Sequence, residues 1–67
     1  MKLKDIQNLF DCETNVYIYD KNGVELAYLY NIYDSDINKY LDEDVNLIVA
    51  PWEDVIAIYL KNFQKVK

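Results

Sequence analysis

The chain opens with Leu3, Ile6 and Phe10 at positions i, i+3 and i+7, with Leu9 beside them. That spacing puts apolar side chains on one stripe and predicts a short amphipathic helix over 2–10, ending near Asp11-Cys12. From Val16 to Tyr30 the period changes to two and predicts a β-hairpin around Asp20-Lys21-Asn22-Gly23, with Gly where a positive φ is needed. A two-residue Asn22-Gly23 loop would set Asp20 opposite Glu25. A three-residue loop with Gly23 left-handed instead pairs Tyr19 with Glu25, Ile18 with Leu26 and Val16 with Tyr28. This second register avoids the acid–acid pair and gathers Val16, Ile18, Val24, Leu26 and Tyr28 on one face. It leaves Tyr17, Tyr19, Ala27 and Leu29 on the other, where Ile48, Ile56 and Ile58 are candidates to join them.

The strand pattern breaks at Asn31. Asp34 or Ser35 is placed to cap a short helix over 36–42, with Ile37, Tyr40 and Leu41 on one side. Val45–Ala50 reads as a third strand with Val45, Leu47 and Val49 on one face. Pro51-Trp52-Glu53-Asp54 reads as a four-residue turn, and Val55–Leu60 as a fourth strand, apolar on both faces. Residues 61–67 form a basic tail from which Phe63 and Val66 can pack back. The expected fold is α+β, in the order α-β-β-α-β-β. It is one domain over 1–67, a four-stranded, mainly antiparallel sheet with a helix on one face.

Composition narrows the picture. Apolar residues make up 52% of 67, enough to specify a folded core, but a chain this short buries only about 60% of its unfolded surface, so modest stability is expected. A single cysteine, Cys12, cannot form an internal disulfide. The longest apolar run is the six residues Val55–Leu60 and no apolar segment follows the first lysines, so neither a membrane span nor a signal peptide is expected; the expected location is the bacterial cytoplasm.

The net charge of −5 is unevenly spread. Between Asp5 and Leu60 twelve acids face only Lys21 and Lys39, a net of −10. Asp34, Asp36, Asp42, Glu43, Asp44, Glu53 and Asp54 face Lys39 alone. Five lysines lie at the two ends. With no arginine and this balance, direct binding of a phosphate backbone is not expected. Without histidine, near-neutral acid–base chemistry loses its usual side chain. Cys12, Ser35 and Thr14 are the sole residues of their types and stand in no nucleophile motif, so no catalytic residue is assigned and the chain reads as a non-enzyme. The run from Asp34 to Val45 resembles a calcium loop at its first, third, fifth and ninth positions. Lys39 stands where glycine makes the turn and Val45 where a bidentate glutamate closes the site, so no metal and no cofactor is expected.

Seven tyrosines in 67 residues is the most unusual count. Tyr17 and Tyr19 sit on one strand face, and a sheet face rich in tyrosine suits a protein interface, because the residue joins a large apolar ring to a hydroxyl. Trp52, flanked by Pro51, Glu53 and Asp54, suits an exposed anchor rimmed by acids.

Taken together, "MKLKDIQNLF", "NVYIYDKNGVELAYLY" and "DEDVNLIVAPWEDVIAIYL" resemble small acidic proteins encoded by phages and prophages of low-GC Gram-positive bacteria. The resemblance spans nearly the whole chain and rests on the "V-x-I-Y-D-x-N-G" hairpin and the closing strand. It implies a class that includes inhibitors of host nucleic-acid machinery, anti-CRISPR proteins among them, and transfers no individual residue role.

The leading expectation is an interaction module that binds a basic host protein, such as a nucleic-acid-handling enzyme, and inhibits it. Its contact residues would be Asp34, Asp36, Tyr40, Asp42, Glu43, Asp44, Trp52, Glu53 and Asp54, with Tyr33 interleaved. The alternative is a homodimeric accessory protein closed through Tyr17, Tyr19 and Leu29, the charge serving only solubility.

Overall fold

Residues 1–10 and 13–63 are described by the computed structural model. The helical spacing at the start of the chain yields α1 (Leu3–Ile6), which tightens into a 3-10 turn over Gln7–Leu9. Leu3 and Ile6 are fully buried and Phe10 packs against the same core, while Leu9 projects into solvent. The helix is shorter than its spacing predicts because neighbouring backbone is tied sideways. The N–H groups of Leu3 and Lys4 donate to the carbonyls of Glu43 and Leu41, and Val45 N–H donates to Met1 O, at 2.8–3.0 Å. These bonds satisfy donors that a short helix leaves open. The predicted end at Asp11-Cys12 and the packing of Val66 lie outside the described residues.

β1 (Asn15–Tyr19) and β2 (Glu25–Leu29) form the expected hairpin. Gly23 has φ +82°, and Asp20 organises the turn: its Oδ1 accepts from the N–H groups of Asn22 (2.8 Å) and Val24 (2.9 Å). Tyr19 pairs with Glu25 as expected, but a bulge at Leu26 shifts the rest, so that Ile18 pairs with Ala27, Tyr17 with Tyr28 and Val16 with Leu29. The shift sends Leu29 into the core at 1% exposure and turns Tyr28 to the other face at 43%. Energetics favour this exchange. Burying a leucine side chain stabilises by about 1.5–3 kcal/mol, whereas a buried tyrosine would need a partner for its hydroxyl. Leu29 is therefore a core residue and not part of an exposed face.

The segment after β2 folds as a 3-10 helix (Ser35–Tyr40), not an α-helix over 36–42. Asp34 is its cap, with Oδ1 accepting from Asp36 N–H at 3.1 Å. β3 (Val45–Trp52) and β4 (Val55–Leu60) form the second hairpin. Here the strand continues through Pro51-Trp52, and only Glu53-Asp54 turn, with Asp54 left-handed at φ +60°. Aspartate tolerates that conformation, and Pro51 is tolerated because β3 is an edge strand. Irregular pairing between Val45 and Leu47 separates the two, so Val45 packs on the core while Leu47 and Val49 face outward.

The sheet order is β2-β1-β4-β3, with antiparallel outer pairs and a parallel centre of β1 with β4. The two hairpins lie with their inner strands side by side, so residues 30–44 must cross the sheet from one edge to the other. Three strand spacings amount to roughly 14 Å, and the crossing runs over a single face. It carries Ile32, Ile37 and Tyr40 down onto Val16, Ile18, Leu29, Ile56, Ile58 and Leu60, and α1 adds Leu3 and Ile6. The core is complete on that side. Among the described residues no helix lies over the opposite face of the sheet.

Candidate functional site

The uncovered face is built by strand parity. Residues that alternate with the core positions of β1, Tyr17 and Tyr19, line up in parallel register with Ala57 and Tyr59 of β4. Antiparallel pairing adds Tyr28 and Glu25 from β2, and Leu47 and Val49 from β3. Five of the seven tyrosines form a continuous row. Ring centroids are 5.9 Å apart for Tyr30–Tyr28, 4.5 Å for Tyr28–Tyr17, 6.2 Å for Tyr17–Tyr19 and 4.8 Å for Tyr19–Tyr59. The last pair is stacked at an interplanar angle of 16°. Such contacts lock the rings into a shared surface and lower the entropy lost when a partner docks.

At the β3 side the row opens into a groove of about 350 Å³. Tyr17, Tyr19 and Tyr59 form its floor with Ala57. Val49, Pro51 and Trp52 form one wall, and Glu25 stands at the other side. Trp52 is 69% exposed and Leu47 52%, large apolar surface for so small a chain. The Tyr19 phenol titrates above its ordinary value, chiefly because the sheet desolvates it and secondly because the Glu25 carboxylate is near, with Tyr59 and Tyr17 adding to the effect.

The acidic residues are distributed differently from the single face expected of them. Asp42, Glu43 and Asp44 sit where the start of the chain meets the end of β4: Lys2 forms a backbone β-bridge with Asp44, and Lys61 N–H donates to Asp44 O at 2.8 Å. Lys4 Nζ pairs with Asp42 Oδ1 at 3.1 Å, and Lys2 Nζ donates to Asp42 O at 3.0 Å. The Asp42 carboxyl is held below its usual range by the Lys4 hydrogen bond and charge, with a smaller contribution from Lys2, against a partial opposing desolvation. Glu53 and Asp54 lie at the far end of β3, which at about 3.3 Å per residue is roughly 25 Å away. Asp34 caps the 3-10 helix and Asp36 lies in its first turn, on the covered side. The acids of 34–54 therefore form no continuous patch, because the third strand separates them.

Among the aromatic residues expected beside those acids, Tyr40 is 6% exposed and packs edge-on against Phe63 at 5.6 Å, so it is a core residue. Tyr33 is half exposed and donates to Asn8 Oδ1 at 3.0 Å. Trp52, Glu53 and Asp54 do lie together, and they adjoin the tyrosine groove. Of the expected dimer face, Tyr17 and Tyr19 are placed on the open side and Leu29 is not.

Sequence reasoning missed Tyr28, Tyr59, Val49 and Glu25 as members of this surface, and offered Ile48, Ile56 and Ile58 as candidates for it although Ile56 and Ile58 are buried and Ile48 packs against the core. One signal was available. A strand apolar on both faces is a central strand, and a central β4 next to β1 sets Tyr59 beside Tyr19. Among the described residues no cluster of three potential metal ligands is present, and no helix is long and apolar enough to cross a membrane. Set against known protein families, curated proteins and solved structures, the chain matches none of them.

Proposed function

We propose that this chain is a non-enzymatic protein-interaction module that binds a basic protein partner, and that the partner docks on the open tyrosine face. The observation that carries this reading is the uncovered side of the sheet. Tyr17, Tyr19, Tyr28, Tyr59 and Trp52 lie contiguously there, with Leu47 and Val49 exposed beside them. Aromatic residues on a rigid sheet provide desolvated anchors, and the net charge of −5 steers a basic partner toward them. In this reading the acids act through long-range attraction and the rings through contact. A small acidic phage product that occupies a host protein's nucleic-acid-binding surface, the class implied by the sequence resemblance, would work in this way.

The test is capture from a Gram-positive lysate with two variants in parallel, Tyr17→Ser/Trp52→Ser on the open face and Asp42→Lys/Asp44→Lys at the far end. A basic protein should be retained by the parent chain and released by salt. It should be lost with the open-face variant and kept by the other. Retention lost only on reversal of Asp42 and Asp44 would move the site to the acidic run. Sedimentation at micromolar concentration covers the alternative of a homodimer through the same tyrosines; a salt-insensitive dimer abolished by Tyr17→Ser/Trp52→Ser would replace the proposal.

A further inference from the structure

We propose that the groove between Tyr19, Tyr59, Trp52 and Glu25 is a receptor for one cationic side chain, an arginine or lysine of the docked partner. This assignment rests on the tyrosine face being the docking surface and specifies what that face selects.

The groove is walled by rings, whose π-faces attract a cation, and tryptophan is the strongest of the aromatic residues in that role. One carboxylate, Glu25, stands at its side. Among the described residues Glu25 is in ion pairing with no lysine, since the pair present is Lys4 with Asp42 at the other end of the molecule. Among the described residues, none that lines the groove is a cation. Glu53 and Asp54, exposed at the turn next to Trp52, add negative potential at the mouth. A purely apolar partner would leave Glu25 desolvated and unpaired, and a second copy of this chain would bring another −5 against it. Charge complementarity therefore favours a guanidinium or ammonium group that lays its methylene stem on Val49 and Pro51 and its charged head between the rings and Glu25. The Glu25 carboxylate already lies close enough to the Tyr19 phenol to alter its titration, so the two groups act on one small volume.

Trp52 is the sole tryptophan, so its fluorescence reports on the groove directly. The probe is N-acetyl-arginine methylamide titrated to tens of millimolar, with the citrulline analogue as the uncharged match of the same shape, and amide chemical shifts map the site. The arginine probe should quench or shift Trp52 with saturation, and its shift changes should cluster at Tyr19, Glu25, Trp52 and Tyr59. Glu25→Gln should weaken it about two- to five-fold, as for an exposed ion pair. Trp52→Leu, followed by the same shift changes, should weaken it about two- to ten-fold. Equal response to citrulline, or arginine shifts centred on Asp42–Asp44, would overturn the assignment. Concentration-dependent shifts across the groove without probe would also overturn it, because a second copy would then be the occupant. If the probe fails while the open-face variant still loses the captured partner, the cation assignment falls and the docking face stands. If the probe binds but capture ignores the open face, the docking reading falls instead.

Discussion

Truncating Leu29 to alanine reads out the bulge that creates the tyrosine face. Leu29 is 1% exposed and packed among Val16, Ile18 and the crossing segment, whereas its neighbour Tyr28 is 43% exposed and touches Tyr17 at 4.5 Å. A buried leucine cut to alanine loses its transfer free energy and leaves a cavity, about 2–5 kcal/mol together. Removing the Tyr28 ring forfeits an aromatic pair of about 0.5–1.5 kcal/mol and little burial. A 67-residue domain has roughly 3–10 kcal/mol in total, so Leu29→Ala should consume a large share of it. At about 4–8 °C per kcal/mol, a loss near 3 kcal/mol lowers Tm by roughly 12–24 °C. Urea unfolding followed by far-UV circular dichroism and by Trp52 fluorescence gives both values. Leu29→Val, at about 1 kcal/mol, keeps the comparison measurable if the alanine variant is unfolded. In a hairpin without the bulge, Tyr28 would pack against Val16 and Leu29 would face solvent. Tyr28→Ala costing more than Leu29→Ala at unchanged m-value would therefore refute the register and, with it, the composition of the open face.

Two further outcomes follow from the same hairpin. Asp20 is 1% exposed, and its Oδ1 accepts two backbone N–H groups, so Asp20→Ala should cost about 3 kcal/mol by leaving both donors unpaired. Asp20→Asn keeps an oxygen in place and should cost less than half as much in the same urea assay; equal losses would show that the charge, not the acceptor geometry, holds the turn. Tyr19 titrates above its ordinary 10.0 in the folded chain, so its contribution to stability is complete below that value and is lost as pH rises through the folded value. Glu25→Gln removes the second cause and should move the tyrosinate absorbance titration toward lower pH. A titration indifferent to Glu25 would remove that carboxylate from the neighbourhood of the ring.

Local signals in the chain were sufficient for the elements that local physics controls. Asp20 and Gly23 defined the first turn, Asp34 or Ser35 the cap of the second helix, and the apolar runs four strands, because each depends on residues within a few positions of one another. The helical stripe of Leu3 and Ile6 was legible for the same reason. The tertiary structure decided the rest. The parallel contact of β1 with β4 joins residues about forty positions apart, and no local pattern encodes which two strands of two hairpins will meet. Once they meet, parity brings Tyr59 to Tyr19, and the crossing of residues 30–44 closes one face while no described residue crosses the other. The bulge at Leu26 arises because a whole-sheet gain, burying Leu29 and freeing the Tyr28 hydroxyl, outweighs the regular ladder of an isolated hairpin. The acids show the same limit. Separated in sequence only by β3, Asp42–Asp44 and Glu53–Asp54 are held at its opposite ends, since its eight residues span nearly the full height of the sheet. Sequence determined how much charge and how many rings the molecule carries; the packing of strands determined that the rings, not the acids, form one surface.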